Sequence, residues 1–291
     1  MLNCDRKLLN HVRNLQNNVD ICKMVTYYRT INTEDRRQII LQRLQEEGEV
    51  AFGELAQGLG TSEMTIRRDL ELLEIEGIAR RVRGGAIAVR SRSYEPPILQ
   101  RSSHEAGAKK RIGQAAAALL EDGESTILDV GTTVLEMAKA ISPSLSLTVI
   151  TSSLLIATEL AGKPLANVIV TGGVVRHGEM SLIGPQAEES FAGFNCDSIF
   201  LGVAGVSETK GLSEYNLDDA RVKRAAMNAA RRVVVLADAS KIGQLAFANV
   251  ALLSEIDLLI TNASPDHRSV RAIKEQGVEV LHVEPSKEER D

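Results

Sequence analysis

The sequence predicts a two-domain α/β protein: a small helical head that ends in a β-hairpin, then a larger domain built on a mostly parallel sheet. Three observations predict it. Between Thr33 and Gly77, three short amphipathic segments follow one another, punctuated at Gly48 and at Gly58 and Gly60. The stretch "IARRVRGGAIAV", residues 78–89, alternates on both sides of Gly84 and Gly85, as a hairpin does. Beyond residue 107, aliphatic runs alternate with helical segments, the pattern of parallel strands and crossover helices. A chain of 291 residues has room for both domains.

Residues 1–32 are polar and Asn-rich, with weak periodicity. They read as an N-terminal extension without an assigned role, and Met24 is an alternative start. The head spans residues 33–90. Thr33 caps its first helix, and Glu34 and Asp35 lie in the first turn, where the helix dipole favours acids. Ile40, Leu41 and Leu44 form its apolar stripe, and Gly48 ends it. "FGELAQGLG", residues 52–60, is a second helix with Leu55, Ala56 and Leu59 inward, followed by a glycine turn. Thr61 or Ser62 caps a third helix, whose inner face is Ile66, Leu70 and Leu73 and which Gly77 stops.

Residues 91–107, "SRSYEPPILQRSSHEAG", break periodicity and hold two prolines, the marks of a linker. The second domain spans residues 108–270. Its strands are "STILDV", "LTVIT", "NVIVTGG", "SIFLGVAGV", "RVVVLAD" and "DLLITN". Residues 271–291 read as a C-terminal segment with a polar, frayed end.

Composition excludes several functions. Aromatic residues are 3% of the chain and Trp is absent, a poor basis for stacking single-stranded bases. The net charge of −5 removes a global affinity for polyanions, so any nucleic-acid contact needs a local patch. Cys4, Cys22 and Cys196 fit neither a disulfide framework nor a zinc spacing. Their number suits a reducing cytoplasm. No apolar run reaches the roughly 18 residues of a membrane span, and the first 30 residues lack the apolar block of a signal peptide. His104, His177 and Cys196 fit no nucleophile–base or metal spacing. Structural or surface roles suit them, with His177 a minor ligand-contact candidate, and no metal or cofactor is expected.

The local patch lies in the head. Capped helix, glycine turn, capped helix and hairpin make a winged helix-turn-helix, in which the helix after the turn enters the DNA major groove. With Ile66 inward, Met64 and Arg68 point away from the core, and Thr65 and Arg67 lie on the flanks. Together with Ser62 and Glu63 these are the candidate base readers, since Arg matches the acceptor pattern of guanine. Arg67 is four residues from both Glu63 and Glu71, within reach of intrahelical pairing. The head holds ten Arg or Lys against eleven Asp or Glu between residues 33 and 92. Yet Arg80, Arg81, Arg83, Arg90 and Arg92 occupy the hairpin and its exit with no acid among them, as phosphate contacts require. Taken singly, the charged helix is explained by solvated ion pairs. The ordered set of elements points to double-stranded DNA. One recognition helix reads few base pairs, so a homo-oligomer, dimer or tetramer, on repeated half-sites is expected.

The run "RRQIILQRLQEEGEVAFGELAQGLGTSEMTIRRDLELLEIEGIARRVRGGA" resembles the DNA-binding domain of the DeoR family of bacterial transcriptional regulators, above all in Ser-x-x-Thr-Ile-Arg-Arg-Asp-Leu, residues 62–70.

In the second domain, small loops follow the strands: "DVGTT" (Asp129, Gly131, Thr132, Thr133), "TSS" (Ser152, Ser153), "TGG" (Gly172, Gly173) and "GVAGV". Loops at the carboxyl ends of parallel strands converge on one crevice. Small residues let backbone N–H groups approach an anion there. Lys223 and Lys241 are available as full positive charges. "ILDVGTT", "VIVTGG", "GLSEYNLDDARVKRAAM" and "VVVLADASKIG" resemble the sensor domain of the same family. The resemblance implies a fold similar to ribose-5-phosphate isomerase and a phosphorylated sugar or related metabolite as effector. It implies that the "GTT" and "TSS" loops hold phosphate, that Lys223 and Lys241 face the pocket, and that Asp238 takes a sugar hydroxyl. Ala204 stands where the family often has an acid. Its loss weakens the alternative of an isomerase-like enzyme with an accessory DNA-binding head, because sugar isomerisation needs a base.

Overall fold

The computed structural model describes residues 33–75, 78–88, 92–96 and 98–284. The N-terminal extension, Gly77, Arg90 and the last residues of the polar C-terminus lie outside the described residues. The chain divides into two units, Met1–Val89 and Arg90–Asp291.

In the first unit, α1 (Thr33–Glu47) ends at Gly48, whose φ of 81° and N–H bond to the Leu44 carbonyl (3.0 Å) form a left-handed stop. Strand β1 (Glu49–Ala51) leads into α2 (Phe52–Gly58). Gly60, at φ 61°, turns the chain into α3 (Glu63–Ile75). Ser62 caps α3, its Oγ accepting from the Thr65 N–H at 3.2 Å. Strands β2 (Ala79–Val82) and β3 (Gly85–Ala88) form the hairpin, and β1 pairs with β3 to give the order β1-β3-β2. Ile40, Leu44, Leu55, Ile66, Leu70 and Leu73 are the buried core of the three helices. Each contributes about 1.5–3 kcal/mol by leaving water.

The second unit is built on seven parallel strands in the order β15-β14-β12-β9-β4-β5-β6. These are β4 (Ser125–Leu128), β5 (Leu147–Thr151), β6 (Ala166–Val170), β9 (Cys196–Gly202), β12 (Ala230–Leu236), β14 (Leu258–Thr261) and β15 (Glu279–His282). Alternate strand residues enter two separate cores, as the pleat requires. Ile127, Ile199, Leu201, Val233 and Val235 pack with α8 (Pro185–Phe191), α9 (Leu217–Asn228) and α10 (Arg268–Glu275). Leu128, Phe200, Val234 and Leu236 pack with α5 (Ala106–Ala117), α6 (Thr132–Ala140) and α7 (Leu154–Ala161). The sheet is therefore covered on both faces. Beside it stand the hairpin β7 (Val174–Arg176) with β8 (Ser181–Ile183), and a small antiparallel sheet of β10 (Gly205–Ser207), β11 (Gly211–Glu214) and β13 (Ala248–Ala251).

Two stretches differ from the sequence reading. Residues 98–103, inside the expected linker, form helix α4 (Ile98–Ser103), and α5 begins at Ala106. The expected C-terminal segment supplies the edge strand β15, which pairs with β14.

Gly85 sits where β1 crosses the hairpin. A Cβ on it would lie 1.9 Å from the Val50 carbonyl oxygen and 3.1 Å from the Ala51 Cα, both backbone atoms. Gly85→Ala therefore forces β1 away from β3. We expect a loss of about 1–3 kcal/mol, the usual cost of overpacking, read as a lower midpoint for the first unit in denaturant. An unchanged midpoint would show that β1 contributes nothing to holding the wing.

Candidate functional site

The first site is the exposed side of α3 and the wing. The "RRDL" run divides its labour. Asp69 is buried and accepts from Arg36 Nε at 2.6 Å and Nη at 3.2 Å, and from Arg37 Nε at 3.4 Å. Both arginines belong to α1, so charge-assisted bonds fix α3 against the first helix. Sequence reading missed this pair. Its signal was an acid on the inner side of an otherwise apolar helix face. Arg67 lies 4.1 Å from the Phe52 ring centre and 3.6 Å from Glu63, and is held against α2. Arg68 and Met64 project into solvent. Thr65 has its hydroxyl against that of Ser62 at 2.9 Å.

On the wing, Arg81 is engaged. Its Nε lies 2.6 Å from Glu74 and its Nη1 3.7 Å from Glu71, and its backbone N–H also bonds Glu74. The Arg81 backbone N–H, and after it the guanidinium, hold the Glu74 carboxyl below its usual range. Glu71 thus faces the wing rather than Arg67. Arg80 and Arg83 are exposed, and no ion pair among the described residues holds them.

The second site is at the carboxyl ends of the parallel strands. Strand order reverses between β4 and β9, the place where such sheets form their ligand crevice. Asp129 follows β4 and accepts from the Gly202 N–H at 3.0 Å. Lys223, on α9, donates to Asp129 at 2.5 Å and to the Gly202 carbonyl at 2.9 Å, and lies 3.4 Å from Glu214. Lys223 is only 2% exposed. Burial opposes its charge, but Asp129 and Glu214 outweigh that and raise its pKa. Burial also lifts both carboxyls, with Lys223 opposing. The two sides pull differently. The 2.5 Å contact and the Gly202 N–H favour a charged pair. Lys223 therefore spans the base of the crevice with its charge already matched.

Around this base stand the other expected residues. Gly131, at φ 122°, precedes α6, and Thr132 and Thr133 are its first buried residues. Ser153 caps α7, its Oγ accepting from the Ile156 N–H, and Ser152 is buried beside it. Gly172 donates its N–H to the Ser190 hydroxyl, and Gly173 lies against the Ile183 backbone. Thr171, which sequence reading passed over, has a buried hydroxyl with no hydrogen-bond partner among the described residues, a feature that calls for a reason. Asp238 follows β12 and accepts from the Ser240 N–H and hydroxyl. Lys241 is half-buried, 5.8 Å from the Tyr215 ring centre. Ala204 is buried, and its N–H bonds the Ser213 carbonyl.

Sequence reading also missed a chain of ion pairs at the same edge. Arg176 joins Asp219 (2.5 Å) to Glu95 (2.6 Å), Glu95 meets Arg101 (3.0 Å), and Arg101 pairs with Glu179. Burial lifts the Glu179 pKa to about 7, with Arg101 opposing. Lys109, buried on α5, donates to the His104 carbonyl at 2.7 Å and to that of Arg101, and lies 4.0 Å from Asp238. Burial lowers its pKa to about 8. Arg101 and Glu95 fell in the expected linker, where no periodicity marked them.

A winged helix-turn-helix joined to a doubly wound α/β unit defines a DNA-binding regulator with a sensor domain. Residues 36–92 match the DeoR-like helix-turn-helix domain, and residues 104–263 match the DeoR C-terminal sensor domain. The chain belongs to the DeoR family of transcriptional regulators. It is 34% identical to the HTH-type transcriptional repressor GlcR of Bacillus subtilis strain 168, over 86% of this chain and 96% of that protein. It is 34% identical to the HTH-type transcriptional regulator GlpR of Haloferax volcanii, over 85% and 96%. With the transcriptional repressor AccR of Agrobacterium fabrum it shares 31% over 80% and 90%. Among solved structures it is similar to ribose 5-phosphate isomerase A of Methanocaldococcus jannaschii, with a TM-score of 0.37 and 17% identity, covering 47% of this chain and 55% of that one. The named relatives are regulators and repressors, and the protein is a transcriptional regulator of the same family. Among the described residues no helix is long and apolar enough to cross a membrane.

Arg68 stands free on the exposed side of α3 while Arg67 is tied down. Arg68→Ala is expected to narrow the gap between operator and random DNA by about 1–3 kcal/mol, the value of a bidentate base contact. Arg80→Ala is expected to weaken both alike and to flatten the salt dependence, as a phosphate contact does. Competition binding at several salt concentrations separates the two. An equal loss on both DNAs for Arg68→Ala removes it from base reading.

Proposed function

We propose that the protein represses an operon of carbohydrate metabolism and leaves its operator when a phosphorylated sugar or related metabolite occupies the crevice of the second unit. The observation that carries this reading is the buried Thr171 hydroxyl after β6, which has no hydrogen-bond partner among the described residues. Thr132 and Thr133 stand at the start of α6, after β4 at the same end of the sheet, where N–H groups and the helix dipole favour a phosphate. Ser152 and Ser153 add a second such turn.

Lys223 takes a different role from the one first expected. Its charge is matched by Asp129 and Glu214, so it shapes the crevice and orients Asp129. Lys241, partly exposed, is the lysine that meets the ligand. Asp238 supports sugar hydroxyls. In the head, Ser62, Glu63, Met64, Thr65 and Arg68 form the reading surface, and Arg80 and Arg83 meet phosphates. Arg67 and Arg81 hold α3 against α2 and the wing. The working form is a homo-oligomer, because a single α3 covers too few base pairs for useful discrimination.

Ligand and operator must be coupled through a difference in ligand affinity between bound and released states. A panel of pentose and hexose phosphates, screened for release of operator DNA, is expected to yield one compound that lowers affinity roughly 5–150-fold. Lys241→Ala is expected to bind operator normally and to lose that response. A mutant released as readily as wild type would take Lys241 out of the site. A panel without any effect on the wild type would overturn the sugar-phosphate reading.

A further inference from the structure

Three side chains leave one short stretch of chain and enter the crevice network. Glu95 pairs with Arg176, which holds Asp219. Arg101 pairs with Glu179 and donates to the Pro96 carbonyl at 2.9 Å. Lys109 ties the Arg101 and His104 carbonyls to a point 4.0 Å from Asp238. All are largely buried, with side-chain exposures of 9% for Glu95, 16% for Arg101 and 5% for Lys109. Their partners sit on β7, on the β7–β8 turn and after β12, which are elements of the strand-end crevice. The stretch itself is the first part of the second unit, so in sequence it directly follows the DNA-binding head.

We propose that this stretch, carrying Glu95, Arg101 and Lys109, is the transmission arm of the sensor: its buried ion pairs hold it in the DNA-competent arrangement, and a ligand that takes over their crevice partners frees it. The inference rests on the sensor reading above and names how that site is coupled to the head.

The physical basis is the cost of unpaired buried charge. Each pair is stable only while both partners are present, since removing one leaves the other desolvated. An anionic ligand arriving at Arg176 competes with Glu95 for its guanidinium, and a ligand hydroxyl that donates to Asp238 or Glu179 competes there with Lys109 or Arg101. The network then has two arrangements, with the arm paired or with the ligand paired. That is what a switch needs. The pairs also explain why "YEPPILQRSSHEAGAKK" carries its charges where it does. A passive linker has no use for a buried Glu, Arg and Lys within 15 residues.

The test uses the full-length, ligand-free protein and an operator fragment selected from random duplexes with the wild type. Arg101→Gln, Glu179→Gln and the double variant are compared by operator affinity and by amide exchange of residues 98–109. Each single variant is expected to raise exchange in the arm and to lower operator affinity at least 5-fold. The double variant is expected to be no worse than Arg101→Gln, because the only pair that Glu179→Gln breaks is already broken in that single variant. Arg231→Gln, which breaks the exposed pair with Asp197, is the control and is expected to change neither readout. Faster exchange in the arm with operator affinity within 2-fold of wild type would overturn the proposal, as would unchanged exchange or fully additive losses. A wild-type protein that selects no duplex at all would instead sink the DNA-binding reading itself.

Discussion

A buried ammonium needs buried carboxylates, and the second unit is arranged around that requirement. Lys223 comes from α9, on one face of the sheet, and reaches the point where β4 and β9 part. There it bonds the Asp129 side chain and the Gly202 carbonyl, while the Gly202 N–H bonds Asp129 in return. Gly202 has to be glycine: a Cβ would stand 2.6 Å from the Val130 carbonyl oxygen. The three groups close a ring that stitches both sides of the strand-order reversal together. The loops that flank it, with Gly131 and Thr132 on one side and Ala204 on the other, take their positions from that ring. The Lys223 charge is thereby matched within the unit itself, by Asp129 and Glu214.

The head shows the same logic on a smaller scale. Asp69 is an acid on the inner side of α3, and Arg36 and Arg37 of α1 reach in to satisfy it. This leaves the outer side of α3 to Met64 and Arg68. Adjacent arginines in one motif consequently have different work: Arg67 packs over Phe52 and pairs with Glu63, and Arg68 stays in solvent. Arg81 is likewise drawn to Glu74 and Glu71, which braces the wing against the recognition helix. In both units, then, buried or shared ion pairs position the surface, and the unpaired groups are left for the partner.

Much of this was legible in the sequence, and the limits have physical causes. Apolar periodicity marked α1, α2 and α3 and six of the seven parallel strands, because those segments bury one face or both. It did not mark β1 or β15. Three or four residues carry too little alternation to stand out, and β15 is an edge strand with half its side chains exposed. Helix α4 went unread because its stretch is polar and follows two prolines. Small loop residues pointed to the crevice, since glycine and hydroxyl side chains after strands have few other uses. Ion pairs within one helix, such as Arg67 with Glu63, were legible, but long-range partners were not: Arg176 is 43 residues from Asp219 and Lys223 is 94 from Asp129. Only the fold brings such residues together, and a lysine looks the same in sequence whether it serves a ligand or a buried acid.

Equilibrium unfolding of Lys223→Met beside the double variant Asp129→Asn with Lys223→Met tests the central claim most directly. If Lys223 is the structural counter-charge of Asp129 and Glu214, the single variant leaves buried carboxyls without their cation. It is then expected to lose about 3–5 kcal/mol in the second unit, the cost of breaking a buried pair. Neutralising Asp129 as well is expected to restore a large part of that loss. A Lys223→Met protein within about 1 kcal/mol of wild type, the scale of an exposed ion pair, would contradict the account and return Lys223 to the ligand.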